Sequence, residues 1–203
     1  SRLEADAALI AIGRRPRSRG LGLEKAGVQL DDRGYILVDE KCRTSNPDIY
    51  AVGDVTGPPM LAHKAIAEAQ VAALDIAGAA EAPRRPEPWR IPAVVYSTPP
   101  AGGIGYTEDE ARRAGGHVRS VRLPFGVSAR AWIEGWEKGL LKLVYIDGRL
   151  MGVHAVGPQA GELVAAAAPL LGRRLAPRDI PVYPHMSILE TLREALLRGS
   201  TGA

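Results

Sequence analysis

The sequence has one cysteine in 203 residues, Cys42, so no internal disulfide can form. A lone thiol fits a reducing compartment, and a cytoplasmic location with an inert Cys42 is expected. No uninterrupted apolar run approaches the roughly 20 residues that a membrane span needs. The opening Ser1-Arg2-Leu3-Glu4-Ala5-Asp6 lacks both an initiator Met and a signal-peptide pattern, and reads as a cut through a longer chain. Lysine and asparagine are scarce. The formal charge of +3 is carried mostly by scattered arginines, in pairs such as Arg14-Arg15, Arg84-Arg85 and Arg173-Arg174. Without a basic block interleaved with aromatics, nucleic acid is not an expected partner. His117 and His154 lack companions at metal-ligand spacing, so no metal site is expected.

What is present suffices for an ordinary core: 46% hydrophobic residues and a mean hydropathy of −0.07, over a length that suits one large or two small domains. In the first half, Ala7–Ile12 has the pattern of a short buried strand, stopped by Gly13-Arg14-Arg15-Pro16. Leu23–Gly27 suggests one helical turn. Val28–Leu30 and Tyr35–Val38 predict two short strands around a polar turn, and Ile49–Val52 a third strand. Leu61 to about Ala77 is Ala-rich with helical spacing, ending at Gly78. Pro83, Pro86, Pro88 and Pro92 then mark a semi-rigid linker.

The second half changes character. Val94–Tyr96 and Val118–Leu123 predict strands, and Leu140–Ile146, Asp147-Gly148 and Leu150–Val156 form a strong hairpin signal. Thr107 is placed to cap a helix, with Glu110 completing a capping box. Gly161–Leu171 predicts an apolar helix with Gly172 near its end. Ser187–Leu197 predicts the last helix, with Ile188, Leu192, Ala195 and Leu196 on one face. Hairpin strands with helices grouped beside them predict an α+β layer domain.

Two constellations can carry chemistry. The first is the run from Cys42 to Asp54, a turn-rich lead-in and an apolar strand with Asp54 at its end. That is the edge where open α/β sheets bind ligands, and Gly53 lets the backbone come close. Downstream, Met60-Leu61-Ala62-His63 opens a helix whose unpaired N–H groups suit a phosphate or another polar ligand edge. A plain turn aspartate is the competing explanation of Asp54. The second constellation is His185 with Glu190. A histidine can exchange a proton near neutral pH, and a carboxylate five residues on can fix its tautomer. Here the competing explanation is a capping box, Ser187-Ile188-Leu189-Glu190, which needs no catalysis.

Ile10–Pro16, Thr44–Asp54 and Met60–Ala65 together resemble the second FAD-binding segment of the pyridine nucleotide-disulfide oxidoreductases, most nearly the dihydrolipoamide dehydrogenase branch. Ile91–Pro99 and Gly103–Glu108 resemble the entry to that family's dimerisation domain, and Gly152–Leu163 its central hairpin and interface helix. The resemblance implies FAD and NAD as cofactors. It also implies that Gly53, Asp54, Met60, Leu61, Ala62 and His63 serve the flavin, with Asp54 on the ribityl chain. His63 could equally be a packing residue. His185 and Glu190 match the family's terminal acid/base pair, which serves the other subunit's active site in a homodimer. Arg130 matches a loop near the dimer interface, where packing or an ion pair is expected. The family usually has Pro-Thr after that histidine, whereas Met186-Ser187 stands here, and the lead-in Pro181–Pro184 is also unusual.

The expected architecture is therefore α+β. Residues 1–88 would be the end of the NAD-binding region plus the closing segment of an α/β FAD-binding domain, and 89–203 an antiparallel-sheet and helix dimerisation domain. The implied reaction is oxidation of a dithiol, dihydrolipoamide being favoured, by NAD. A 2-oxo acid dehydrogenase complex is the implied larger partner. The family's paired redox cysteines and both Gly-rich dinucleotide fingerprints are absent, so the chain alone is expected to have no turnover. The alternatives are a mercuric- or glutathione-reductase-like member of the family and a non-catalytic dimerisation module.

Overall fold

The computed structural model describes residues 2–201, which divide into two compact units at the boundary between Pro86 and Glu87. The second unit is built on a five-stranded antiparallel sheet. Its strands are β1 (Ala93–Val95), β2 (Ala101–Gly105), β3 (Val118–Pro124), β4 (Leu140–Ile146) and β5 (Arg149–Val156), in the spatial order β1-β2-β5-β4-β3. The β4–β5 hairpin turns at Asp147 and Gly148, whose φ angles of +48° and +74° suit the mirror-image turns that match strand twist. Leu141 pairs with Ala155 and Leu143 with Val153. These four side chains point to one face and are fully or almost fully buried there.

Two helices cover that face. α4 (Ala160–Ala167) packs on β5 and β2, and α5 (Leu189–Ser200) on β3 and β4. Their inward residues Leu163, Val164, Leu192, Ala195 and Leu196 complete the core. On α5 these inward positions recur at helical spacing, as the sequence predicts. The short α2 (Glu108–Ala114) packs against β3 and β4 and starts with the predicted capping box between Thr107 and Glu110. A short helix α3 (Ala129–Glu134) was not expected from the sequence. It ends on Gly135 at φ +71°, and Arg130 pairs with Glu134 at 2.6 Å while lying over the Trp136 ring.

The first unit departs further from expectation. Its one long helix, α1 (Ala62–Ile76), lies where the spacing placed it. The predicted strands do not form. Ala7–Ile12 has no strand pairing, and Leu9, Ile10 and Ile12 are 92%, 82% and 95% exposed. A strand exists only beside a neighbour that takes its N–H and C=O groups, and none of the described residues supplies one here. The two strands around the polar turn reduce to a single bridge, Leu30 to Ile36, and Ile49–Val52 to the bridge Arg43 to Tyr50. Asp31 shapes the first of these turns, its Oδ1 accepting from the N–H groups of Arg33 and Tyr35.

Candidate functional site

The expected site residues fall into both units, with Gly53, Asp54 and Met60–His63 in the first and His185 and Glu190 in the second. In the first unit the chain enters a 3-10 turn at Gly53–Thr56 rather than leaving a strand. Gly53 is buried at φ +83°, and a Cβ there would press on that of Ala65 at 3.2 Å, so the turn packs directly on α1. Asp54 projects from this turn with its side chain 42% exposed and an Arg14 Nη2 at 3.4 Å.

Six residues beyond the turn α1 begins. Leu61 is its N-cap with an extended backbone, no side chain caps the helix, and no acidic residue lies in its first turn. A helix start with neither among the described residues presents a positive dipole end to an electronegative ligand. Met60 and Leu61 are half-buried, while Ala62 and His63 are exposed. A half-exposed carboxylate, a close-packed glycine turn and an open helix start fit a hydroxylated, anionic cofactor such as FAD.

The turn is held by residues that sequence reasoning passed over. Lys64 and Glu68 are 2% and 0% exposed and face each other at 3.2 Å. Lys64 Nζ donates to the carbonyls of Gly53 and Gly57 and to Thr56 Oγ1, each at 2.9 Å. Glu68 Oε2 accepts from the Gly53 N–H at 2.8 Å, and its Oε1 accepts from Arg85 Nη2 at 2.6 Å. Cys42 lies fully buried near this cluster. Burial, with the Glu68 charge adding to it, pushes its thiol up to about 11.

In the second unit His185 Nδ1 and Glu190 Oε1 are 2.8 Å apart, with the side chains 76% and 29% exposed. The competing capping box is not formed. α5 takes Ile188 as its N-cap without a side-chain bond, and Ser187 Oγ is buried with no partner. The Glu190 carboxylate turns back to the imidazole instead. Met186 makes this reach possible by adopting a left-handed φ of +43°. Proline, fixed near −65°, cannot take that conformation, so Met186 changes the backbone path as well as the side chain. Ser128 Oγ, buried at the start of α3, donates to the Ser187 carbonyl at 3.2 Å and ties this loop to the domain. Beside the pair lies a cavity of about 500 Å³, lined by Val127, Val182, Tyr183, Glu190, Arg193 and others. Burial pushes the Tyr183 hydroxyl above its ordinary range.

His154 Nε2 lies 2.9 Å from the Tyr106 carbonyl. Among the described residues no group of His, Cys, Asp or Glu is arranged to hold a metal ion, and no helix is long and apolar enough to cross a membrane.

Residues 91–195 match the pyridine nucleotide-disulphide oxidoreductase dimerisation domain, and residues 1–69 the pyridine nucleotide-disulphide oxidoreductase model itself. The chain therefore belongs to the pyridine nucleotide-disulphide oxidoreductase family. It is 46% identical over 194 residues to the dihydrolipoyl dehydrogenase of Thermus scotoductus, spanning 94% of this chain and 41% of that protein. To the Geobacillus stearothermophilus dihydrolipoyl dehydrogenase it is 38% identical, over 95% of this chain and 41% of that one. Among solved structures, LpdA from Mycobacterium tuberculosis superposes with a TM-score of 0.83 at 28% identity, covering 94% of this chain and 42% of LpdA. The HOCl-induced flavoprotein disulfide reductase RclA of Escherichia coli, as its Cu(II) complex, gives 0.82 at 27% identity, covering 94% and 44%. The chain thus spans about two fifths of the length of the curated relatives named here.

Proposed function

We propose that this chain is the C-terminal portion of an FAD-dependent dithiol:NAD oxidoreductase acting on dihydrolipoamide. It would supply flavin contacts, a homodimer interface and a His–Glu acid/base pair. The observation that carries the reading is the 2.8 Å bond from His185 Nδ1 to Glu190 Oε1, formed where a capping box was the alternative. The likeness to two dihydrolipoyl dehydrogenases supports the choice of dithiol. The flavin, when bound, carries the electron pair between the dithiol and NAD. On that reading Gly53, Asp54, Met60, Leu61, Ala62 and His63 hold it, Asp54 through hydrogen bonds to its hydroxylated chain. Glu190 fixes the imidazole with Nδ1 protonated, which leaves Nε2 to accept a thiol proton as the dithiol is oxidised and to return it in the reverse direction. The expected setting is cytoplasmic, with a 2-oxo acid dehydrogenase complex as the larger assembly.

The second reading is a mercuric- or glutathione-reductase-like member of the same family, since the left-handed Met186 departs from the family's Pro-Thr pattern and so does not itself select dihydrolipoamide. One experiment separates the readings. The full-length protein is purified, its FAD counted, and turnover compared for dihydrolipoamide with NAD, glutathione disulfide with NADPH, and Hg(II) with NADPH. Dihydrolipoamide is expected to exceed the others by at least a hundredfold in kcat/KM. Turnover of glutathione disulfide or Hg(II) in its place would move the assignment to the second reading. FAD-free, inactive protein would reduce the chain to a dimerisation module.

A further inference from the structure

The inward stripe of α1 carries charge where an amphipathic helix usually carries leucine. Its buried positions are Lys64, Glu68, Val71 and Ala72, while Ile66, Leu74 and Ile76 are 61%, 42% and 65% exposed. Desolvating two charges is expensive, and well-packed apolar residues commonly do as well or better for stability. Stability alone therefore does not account for the pair.

The charges do what apolar side chains cannot. Gly53 has both backbone groups held from α1, its N–H by Glu68 Oε2 and its carbonyl by Lys64 Nζ. Lys64 also holds the Gly57 carbonyl, and the Thr56 hydroxyl sits between both charges, 2.9 Å from Lys64 Nζ and 3.0 Å from Glu68 Oε2. The turn these bonds enclose has a glycine at each end, at φ +83° and +105°, and so has little stiffness of its own. Inside that enclosure Asp54 carries a side chain that is 42% exposed. Leu61 and Ala62, the N-cap and first residue of the same helix, lie three and two residues before Lys64. The carboxylate and the open helix start are thereby fixed to one rigid element. Arg85, whose N–H is bonded to the Glu40 carbonyl at 2.8 Å, closes the cluster from the segment that follows the helix.

We propose that Lys64, Glu68 and Arg85 are positioning residues for the flavin segment, setting the separation between Asp54 and the N-terminus of α1 that FAD binding requires. The inference rests on the assignment of Asp54 and Leu61-Ala62 to the flavin. Its test uses the full-length protein, stripped of flavin and titrated with FAD, with thermal unfolding of the apoprotein as a second readout. Lys64→Met/Glu68→Leu removes both charges at similar volume. It leaves the Gly53 N–H, the Gly53 and Gly57 carbonyls and Arg85 without these partners, so the apoprotein is expected to melt lower than the parent and, titrated well below its melting temperature, to bind FAD at least tenfold more weakly. FAD affinity within twofold of the parent, with Asp54→Asn weakening it, overturns the positioning role and leaves the flavin assignment standing. If Asp54→Asn leaves FAD affinity unchanged, the assignment fails and the inference with it. Should the double variant not fold, Thr56→Val decides by the same titration. A threefold or greater weakening supports the proposal, and no change overturns it.

Discussion

Replacing Glu190 by Gln keeps the shape of the His185 partner and removes only its charge. The bond replaced is 2.8 Å long and joins an imidazole 76% exposed to a carboxylate 29% exposed. A hydrogen bond to a charged group contributes about 1.5–3 kcal/mol and a neutral one about 0.5–1.5 kcal/mol. The difference is about 1–1.5 kcal/mol, or roughly tenfold in rate if it acts on the proton-transfer step. Glu190→Ala loses the bond altogether, and the corresponding loss is about 10- to 150-fold. His185→Gln removes the proton carrier, for which about 10²–10⁴-fold is expected. The assay is dihydrolipoamide-dependent NAD reduction by the full-length protein, normalised to bound FAD. NADH oxidation by an artificial acceptor, which needs no thiol proton, serves as the control and should stay level. Ser187→Ala should change neither rate nor stability, because Ser187 Oγ has no partner to lose. The reasoning fails if Glu190→Gln is indistinguishable from the parent. It also fails if Ser187→Ala destabilises the protein by the roughly 1 kcal/mol that a lost N-cap costs.

Cys42, fully buried, should resist alkylation at pH 8 in the folded chain and react only as the chain unfolds, which a time course with and without denaturant reads directly. Its thiol is raised from 9.0 to about 11, so the folded state holds the proton longer than the unfolded one. The stability it contributes is whole below pH 9 and is lost as pH rises towards 11, by about 2–3 kcal/mol at most; a denaturation midpoint that does not move over that window contradicts it. Gly199→Ala in α5 should destabilise the second unit, although alanine is the better helix former by about 1 kcal/mol, because the new Cβ would overlap the buried Tyr145 ring end and overpacking costs about 1–3 kcal/mol. A midpoint in urea at or above that of the parent contradicts the packing argument.

The second unit was legible because its elements satisfy themselves. Thr107 and Glu110 cap one another, Asp147-Gly148 sets the hairpin, and Leu192, Ala195 and Leu196 recur at the spacing of a helix that covers a sheet from the same unit. Where pattern and partner belong to one unit, periodicity is a sufficient guide. α3 escaped because six residues carry too little periodicity to register. In the first unit Ala7–Ile12 has the composition of a buried strand and no neighbour among the described residues to pair with. Composition reports what a segment can become, and hydrogen-bonding partners decide whether it does.

The candidate site shows the same division. His185 and Glu190 were found at their spacing because the chemistry needs a reach of only five residues. The same four letters, Ser187 to Glu190, also spell a cap, and the sequence could not decide between two uses of one carboxylate. The decision lies in the backbone at Met186, whose left-handed φ sends His185 across the start of α5 and within range of Glu190. Lys64 and Glu68 were missed for the opposite reason. Their i, i+4 spacing was in plain view, but opposite charges at that spacing normally mark a solvated helix face. Here they share a stripe with Val71 and Ala72, and that stripe is the buried one. The available signal was conflict: the helix's large apolar residues, Ile66, Leu74 and Ile76, fall outside the stripe that contains the charges. A helix whose charges and leucine-like residues exchange places has a polar task on its inner face, and the backbone of Gly53 is what that face holds.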